Sequence, residues 1–211
     1  SDMGVDRQSE LGCRKGRLSL SRWRMTGVAA VMRLSHRSSA CATIFSYLKS
    51  LLQRIPRVRL MSASCCNGTG GRGNNESWCL GSQYWAQNYK ADSIAKPRFG
   101  ILLDMVGDAN AKFHIDMASG RLASIAVAKI WQTAKNLGYG DIFEMLESGS
   151  IIDDHVYVNQ YANIPTVDII DFTAYRGFPE TWHTHQDVIG NISKTTLKAV
   201  GETIMTVLAK E

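Results

Sequence analysis

A chain of 211 residues with 45% hydrophobic and 20% charged residues is long enough to bury a core, and one domain is the default expectation. No run of eighteen apolar residues occurs, so no spanning helix is expected, and Ser1-Asp2-Met3-Gly4 lacks the basic and apolar regions of a secretion signal. The net charge of +5 divides unevenly: residues 1–75 hold 13 Lys+Arg against 3 Asp+Glu, and residues 76–211 hold 11 against 16. An Arg-rich front suits an anionic partner, but it carries neither aromatic interleaving nor a groove-reading motif, so nucleic acid is not the expected partner.

Residues 1–75 show short apolar runs, such as Val28-Ala29-Ala30-Val31-Met32, set among scattered arginines. The spacing of Ile44, Leu48 and Leu51-Leu52 predicts a helix over roughly 42–53. Beyond it no strand and helix rhythm is evident. The glycines of Asn67–Asn75 follow no strand and precede no Gly-Lys-Ser/Thr, which makes them a linker rather than a phosphate cradle. Cys13, Cys41, Cys65, Cys66 and Cys79 are odd in number and without CxxC spacing, so they favour no structural zinc finger and leave disulfides and compartment open.

From Glu76 the pattern is more regular. Trp78, Leu80, Tyr84 and Trp85 predict a short amphipathic helix ending near Asn88. Phe99–Gly107 is a continuous apolar run with one carboxylate, the signature of a strand buried on both faces. A second short strand is expected over Lys112–Asp116. Residues 118–137 read as one helix with Leu122, Ile125, Ala126, Ile130, Ala134 and Leu137 on its buried side and Gly138 as its stop. Pro165–Phe172 is another candidate central strand. The last helix takes Ser193 as cap and Leu197, Val200, Ile204 and Val207 as its buried stripe. Strands alternating with helices imply an α/β fold: a mixed, largely parallel central sheet with helices on both faces, whose ligand sits beyond the carboxyl ends of the strands.

Three loops carry candidate chemistry. Asp104 lies in an apolar strand, where a charged carboxylate must be paired or metal-bound. Asp153, Asp154 and His155 adjoin after a Gly-Ser turn, either as a helix cap or as site residues. Asp168 and Asp171 alternate with isoleucines and read as residues near a strand end. Trp182-His183-Thr184-His185-Gln186-Asp187 combines imidazoles, an indole and a carboxylate on a loop, which matches the N and O donors of a catalytic zinc site if the three loops converge.

Taken together, Leu103-Asp104-Met105-Val106-Gly107, Ile152-Asp153-Asp154-His155, Ile164-Pro165, Phe178-Pro179-Glu180-Thr181-Trp182-His183-Thr184, and Asp187 with Asn191-Ile192-Ser193 resemble the C-terminal half of zinc peptidases of the M28 class. The likeness is nearest to the glutaminyl-peptide cyclotransferases, and Ser77-Trp78-Cys79-Leu80-Gly81-Ser82 shares it. It covers about residues 76–211. The resemblance implies a zinc aminopeptidase-like fold, a peptide or protein N-terminus as substrate, and a secreted or periplasmic location. It makes His183 a zinc ligand and Asp104 an acidic partner of the metal, or a ligand of a second metal. Asp153 joins the network that handles the transferred proton, and Trp182, Phe178 and Ile151 line the pocket. One zinc is implied for a cyclase and two for an aminopeptidase.

The first 75 residues do not match the family. Its His-x-Asp motif, its Asn-Asp-Gly-x-Ser-Gly motif and its acidic pair are absent there, where Asp2, Asp6 and Glu10 are the acidic residues. Back-translating Trp23-Arg24-Met25-Thr26-Gly27 and reading from the third base of each codon permits Ala and Asn, forces Asp and permits Gly, which resembles the missing motif. The front segment is therefore expected to be a shifted reading frame. If it is genuine, a non-catalytic binding protein on the same scaffold is the expectation instead.

Overall fold

The structure, a computed structural model, describes residues 28–32, 58–62, 78–89 and 96–211. In chain order the elements are strands β1 (Val28–Met32) and β2 (Val58–Ser62), helix α1 (Leu80–Gln87), β3 (Gly100–Asp104), β4 (Phe113–Ile115), helices α2 (Met117–Leu122) and α3 (Ser124–Asn136), β5 (Phe143–Glu147), α4 (Asp154–Ala162) and β6 (Thr166–Ile170). A 3-10 turn at Ile189–Asn191 leads into α5 (Lys194–Ala209). Four strands form a parallel sheet in the order β2-β1-β3-β6, and β4 pairs with β5 in a two-stranded parallel sheet.

Every residue of β3 and β6 is buried, which is why both read as apolar runs instead of alternating ones. Successive side chains of a strand point to opposite faces. Ile101 and Leu103 of β3, with Val167 and Ile169 of β6, join a core with Val127, Ile130 and Trp131 of α3 and Val200, Ile204 and Val207 of α5. A smaller cluster of Ala86, Val158, Ala162 and Ile164 packs α1 against α4. The expected α/β fold, a largely parallel sheet with helices on both faces, is thus the one observed.

Four expectations from the sequence are corrected. Two strands lie within the front segment, where no rhythm was evident: the apolar run Val28–Met32 is β1, between β2 and β3, and its flanking arginines obscured it. The helix expected over 118–137 is two helices. Asp116 caps α2 by accepting from the Ala118 and Ser119 amides, and Ala123, at φ −132° and ψ 31°, breaks the run before α3. Ala126, Ile130 and Ala134 are buried as expected, but Leu122, Ile125 and Leu137 are exposed and Val127 and Trp131 are buried in their stead, so the buried face of α3 is rotated to one side of the expected one. The strand β5 was not read at all, since Met145 and Leu146 are exposed and its burial does not alternate. The helix expected over 42–53, the linker at 67–75 and the cysteines at 13, 41, 65 and 66 lie outside the described residues.

Candidate active site

The orientation of α4 brings the candidate residues to one edge of the sheet. Asn159 is bonded twice to the start of β6, donating to Thr166 O at 2.8 Å and accepting from the Thr166 amide at 3.0 Å. His155, one turn earlier, lies against Asp168 farther along β6, with Nδ1 and Oδ2 3.4 Å apart. The helix therefore runs antiparallel to β6, with its N-terminus at the carboxyl edge. Asp104 ends β3 in register with Ile170, the last residue of β6. The loop carrying Phe178, Trp182 and His183 leaves β6 at that same edge, and Ser193 closes it by donating its amide to Gly107 O at 2.8 Å.

Asp104, Asp116, Asp153, Asp154, His155 and Asp168 are all buried. Asp153 caps α4, taking the Asp154 amide at 2.7 Å and the Cys79 thiol at 3.6 Å on Oδ1. Ser82 Oγ donates to Asp154, and Cys79 stands in the left-handed region, φ 53°, just before α1. Donor atoms of Cys79, Asp153 and Asp154 lie within 4.8 Å of one another, but the group is linked by its own hydrogen bonds. The helix cap expected from Asp153 is thus present, and the helix starts at Asp154, two residues earlier than Val156.

Asp168 is the acid on which the others bear. Burial, and after it the charges of Asp153, Asp104, Asp116 and Asp154, push its carboxyl well above the usual carboxylate range. Asp116 moves the other way. Burial opposes its ionisation, but the hydrogen bond and charge of His155 and the bonds from Ser119 outweigh that and lower its pKa. His155 Nε2 is 3.1 Å from Asp116 Oδ1.

Downstream of β6, rings stack in series. Phe172 tilts against Phe178 with centroids 4.7 Å apart, Phe178 stacks on Trp182 at 4.2 Å, and Trp182 stacks on His183 at 4.1 Å. A tight Thr173–Gly177 turn sets this series, held by the Arg176–Asp171 ion pair and by the Ala174 amide donating to His114 Nδ1 at 3.3 Å. His183 is exposed and takes φ 58°, a left-handed backbone uncommon for a residue other than glycine. Trp182 is 40% exposed, Phe178 is half-buried and Ile151 is buried.

The structure brings Asp104 and Asp153 to bear on the same carboxyl, Asp168, and gathers Phe178, Trp182 and His183 into one stack. Among the described residues the group of three close candidate donors is Cys79, Asp153 and Asp154, and His183 is not in it. For zinc the donor types fit in kind, an imidazole on the loop after β6 and carboxylates at the strand ends. They fall short in number, because further ligands would have to come from upstream of the described site. The sequence reading noted His155 beside Asp153 and Asp154, and Asp168 near a strand end, without assigning a role to either, and it did not select Asp116. A carboxylate between Val167 and Ile169 is the same signal that singled out Asp104. Asp116 offered no such signal, since it stands at the start of a helix, where aspartate is ordinary.

A family model described as Peptidase family M28 matches residues 72–208. No curated protein sequence matches the chain. Among solved structures, Bacteroides thetaiotaomicron glutaminyl cyclase bound to N-acetylhistamine is similar at 32% identity and TM-score 0.78, over 89% of this chain and 74% of that one. Porphyromonas gingivalis glutaminyl cyclase is similar at 32% identity and TM-score 0.75, over 88% and 72%. A Zn-dependent exopeptidase from Parabacteroides distasonis is similar at 29% identity and TM-score 0.76, over 88% and 74%.

Proposed function

Since the chain belongs to peptidase family M28, we propose that it is a zinc-dependent glutaminyl-peptide cyclotransferase, an aminoacyltransferase that closes N-terminal glutamine to pyroglutamate and releases ammonia. The observation that carries this reading is the ring series ending at His183: an imidazole donor with an indole flat against it. A glutamine side chain is short and ends in a planar amide. Trp182, stacked between Phe178 and His183, would offer that amide its exposed edge beside the imidazole, and Phe178 and Ile151 would supply further apolar lining.

Zinc held by His183 and by ligands from upstream would polarise the side-chain carbonyl. The remaining work falls to acids of this chain. The α-amine must lose a proton as it attacks, and the leaving nitrogen must gain one. We assign that transfer to Asp153, fixed by the Asp154 amide and the Cys79 thiol, and to Asp104, at the end of β3. The substrate is a peptide or protein N-terminus, met in a secreted or periplasmic setting. Among the described residues no helix is long and apolar enough to cross a membrane.

Ammonia release from Gln-peptides, with zinc present, tests the reading; a zinc-loaded chain that binds such peptides and releases none ends it. Similarity to an exopeptidase at a comparable TM-score supports a second reading, a dizinc aminopeptidase in which Asp104 binds the second ion. Metal content per chain separates them, with one zinc for the cyclase and two for the peptidase. A non-catalytic binding protein is supported by the absent upstream motifs, and failure of His183 to retain zinc on soaking would favour it. A shifted frame over residues 1–75 accounts for those motifs without that conclusion. An intact mass equal to the written 23.3 kDa rules the shift out.

A further inference from the structure

Behind the two carboxyls assigned to proton transfer lies a line of three wholly buried groups that the mechanism above does not use. Asp168 is on β6, on the face of the sheet that also carries Asp104, and α4 covers it. Its backbone amide is taken by Ser119 Oγ at 2.9 Å. Neither of its carboxyl oxygens receives a hydrogen bond that meets ordinary geometry, and the nearest ring atom is His155 Nδ1 at 3.4 Å. On its far side His155 presents Nε2 to Asp116 Oδ1 at 3.1 Å. That oxygen also accepts the Ala118 amide at 2.9 Å and the Ser119 amide at 3.2 Å.

The positions of the protons follow from this geometry. An oxygen already facing two amide hydrogens is an acceptor, so the hydrogen between Asp116 and His155 sits on Nε2. Between Nδ1 and Asp168 Oδ2 one hydrogen is needed, and two arrangements supply it. A charged imidazolium could donate to an ionised Asp168, or a protonated Asp168 could donate to a bare Nδ1. The first puts another anion, wholly out of water, among Asp104 from β3, Asp153 and Asp154 from α4, and Asp116 from the α2 cap. The second leaves both partners of the pair neutral. Mutual repulsion among these carboxylates and burial both favour the neutral arrangement, and the upward displacement of the Asp168 pKa agrees with it.

On the cyclotransferase reading, we infer that Asp168 is a positioning residue for the reaction: it stays protonated, donates to His155 Nδ1, and so removes one negative charge from beside Asp104 and Asp153. The working pair can then hold its charge at the sheet edge and exchange a proton with substrate. Asp168 itself touches no reacting atom. The Asp168–His155–Asp116 line fixes the first turn of α4, and with it the Asp153 carboxyl that caps the helix.

Nitrogen-15 spectra of the histidine ring in the full-length chain test this without reference to turnover. At pH 7 the expected His155 ring is neutral, with hydrogen on Nε2 and a bare Nδ1. D168N, whose amide can still donate to Nδ1, keeps that tautomer and melts no more than a few degrees from the parent, whereas D168A loses the donor and the tautomer preference with it. A doubly protonated His155 ring in the parent overturns the inference, and so does a D168N chain that fails to fold or whose Nδ1 gains a hydrogen. A chain with the expected ring spectrum but no ammonia release refutes the cyclotransferase reading and leaves the proton placement standing. Ammonia release with an imidazolium at His155 does the reverse.

Discussion

The two faces of the central sheet are built from the same strands and contain opposite chemistry. On β3 and β6 the residues Ile101, Leu103, Val167 and Ile169 turn into an apolar core beneath α3 and α5. Their neighbours Leu102, Asp104, Asp168 and Ile170 turn the other way, where α4 brings Asp153, Asp154 and His155 over them. Burial is complete or nearly so on both sides, so exposure does not distinguish them. What differs is that one face gains free energy from every atom it removes from water, while the other must hold carboxyls where their charges repel. On the proposed function, stability is concentrated on the first face and the reacting acids on the second, and each is expected to yield to perturbation without the other.

The largest effect belongs to the acidic face. Asp104→Asn keeps the shape of the side chain and removes its ionisation, and loss of a general acid or base lowers turnover by about 10²–10⁴. The expected outcome is a kcat for ammonia release reduced within that range, with a melting temperature no lower than that of the parent because one repelling charge has gone. An unchanged kcat would remove Asp104 from the mechanism.

On the apolar face the expectation inverts. Ile101 is wholly buried, and truncation to alanine leaves a cavity in a core that collapses only partly, at about 2–5 kcal/mol. Urea unfolding of Ile101→Ala should show that loss while the folded fraction keeps its kcat. A joint fall in stability and kcat would mean the faces are coupled through the backbone.

The dependence of stability on pH sharpens the contrast within the acidic face itself. Asp168 is raised in the folded state, so above the ordinary carboxylate pKa the unfolded chain binds fewer protons than the folded one. Its stabilising contribution is complete in acid and declines as pH rises toward the folded value, by up to about 1.4 kcal/mol per pH unit. Asp116 is lowered, so its contribution is present above the ordinary pKa and is lost as pH falls through its folded value. Unfolding free energies measured from pH 3 to 8 should therefore flatten on the alkaline side in D168N and keep the acid-side loss. Parallel curves for parent and variant would show that Asp168 ionises alike in both states.

How much of this could be read from the sequence follows from the same contrast. Apolar runs with a single carboxylate, at Asp104 and at Asp168, are visible in one dimension because a buried strand has no polar face to interrupt it. The Ser193 cap and the α5 stripe were legible because a helix reports its own period: Ser193 Oγ accepts the Thr196 amide at 3.2 Å and Val200, Ile204 and Val207 are buried. The partnership of Asp116 with His155 was not, since 39 residues separate them and only the α2 cap brings them together. Nor was β1, whose place between β2 and β3 depends on pairing with Gly100–Leu103, far along the chain.

The smallest expected effect lies where the sequence reading assigned burial and the fold does not. The helix expected over 118–137 has Ile125 on its buried side, yet Ile125 is 75% exposed while Ile130, on the same α3, is fully buried. Five residues of α3 separate the two, about 140° around a helix of 3.6 residues per turn, so they face different sides. Ile125→Glu should then change unfolding free energy by no more than about 0.5 kcal/mol, as surface substitutions do, against about 2–5 kcal/mol for Ile130→Ala. Comparable losses at both positions would mean that the apolar face extends around α3 to Ile125.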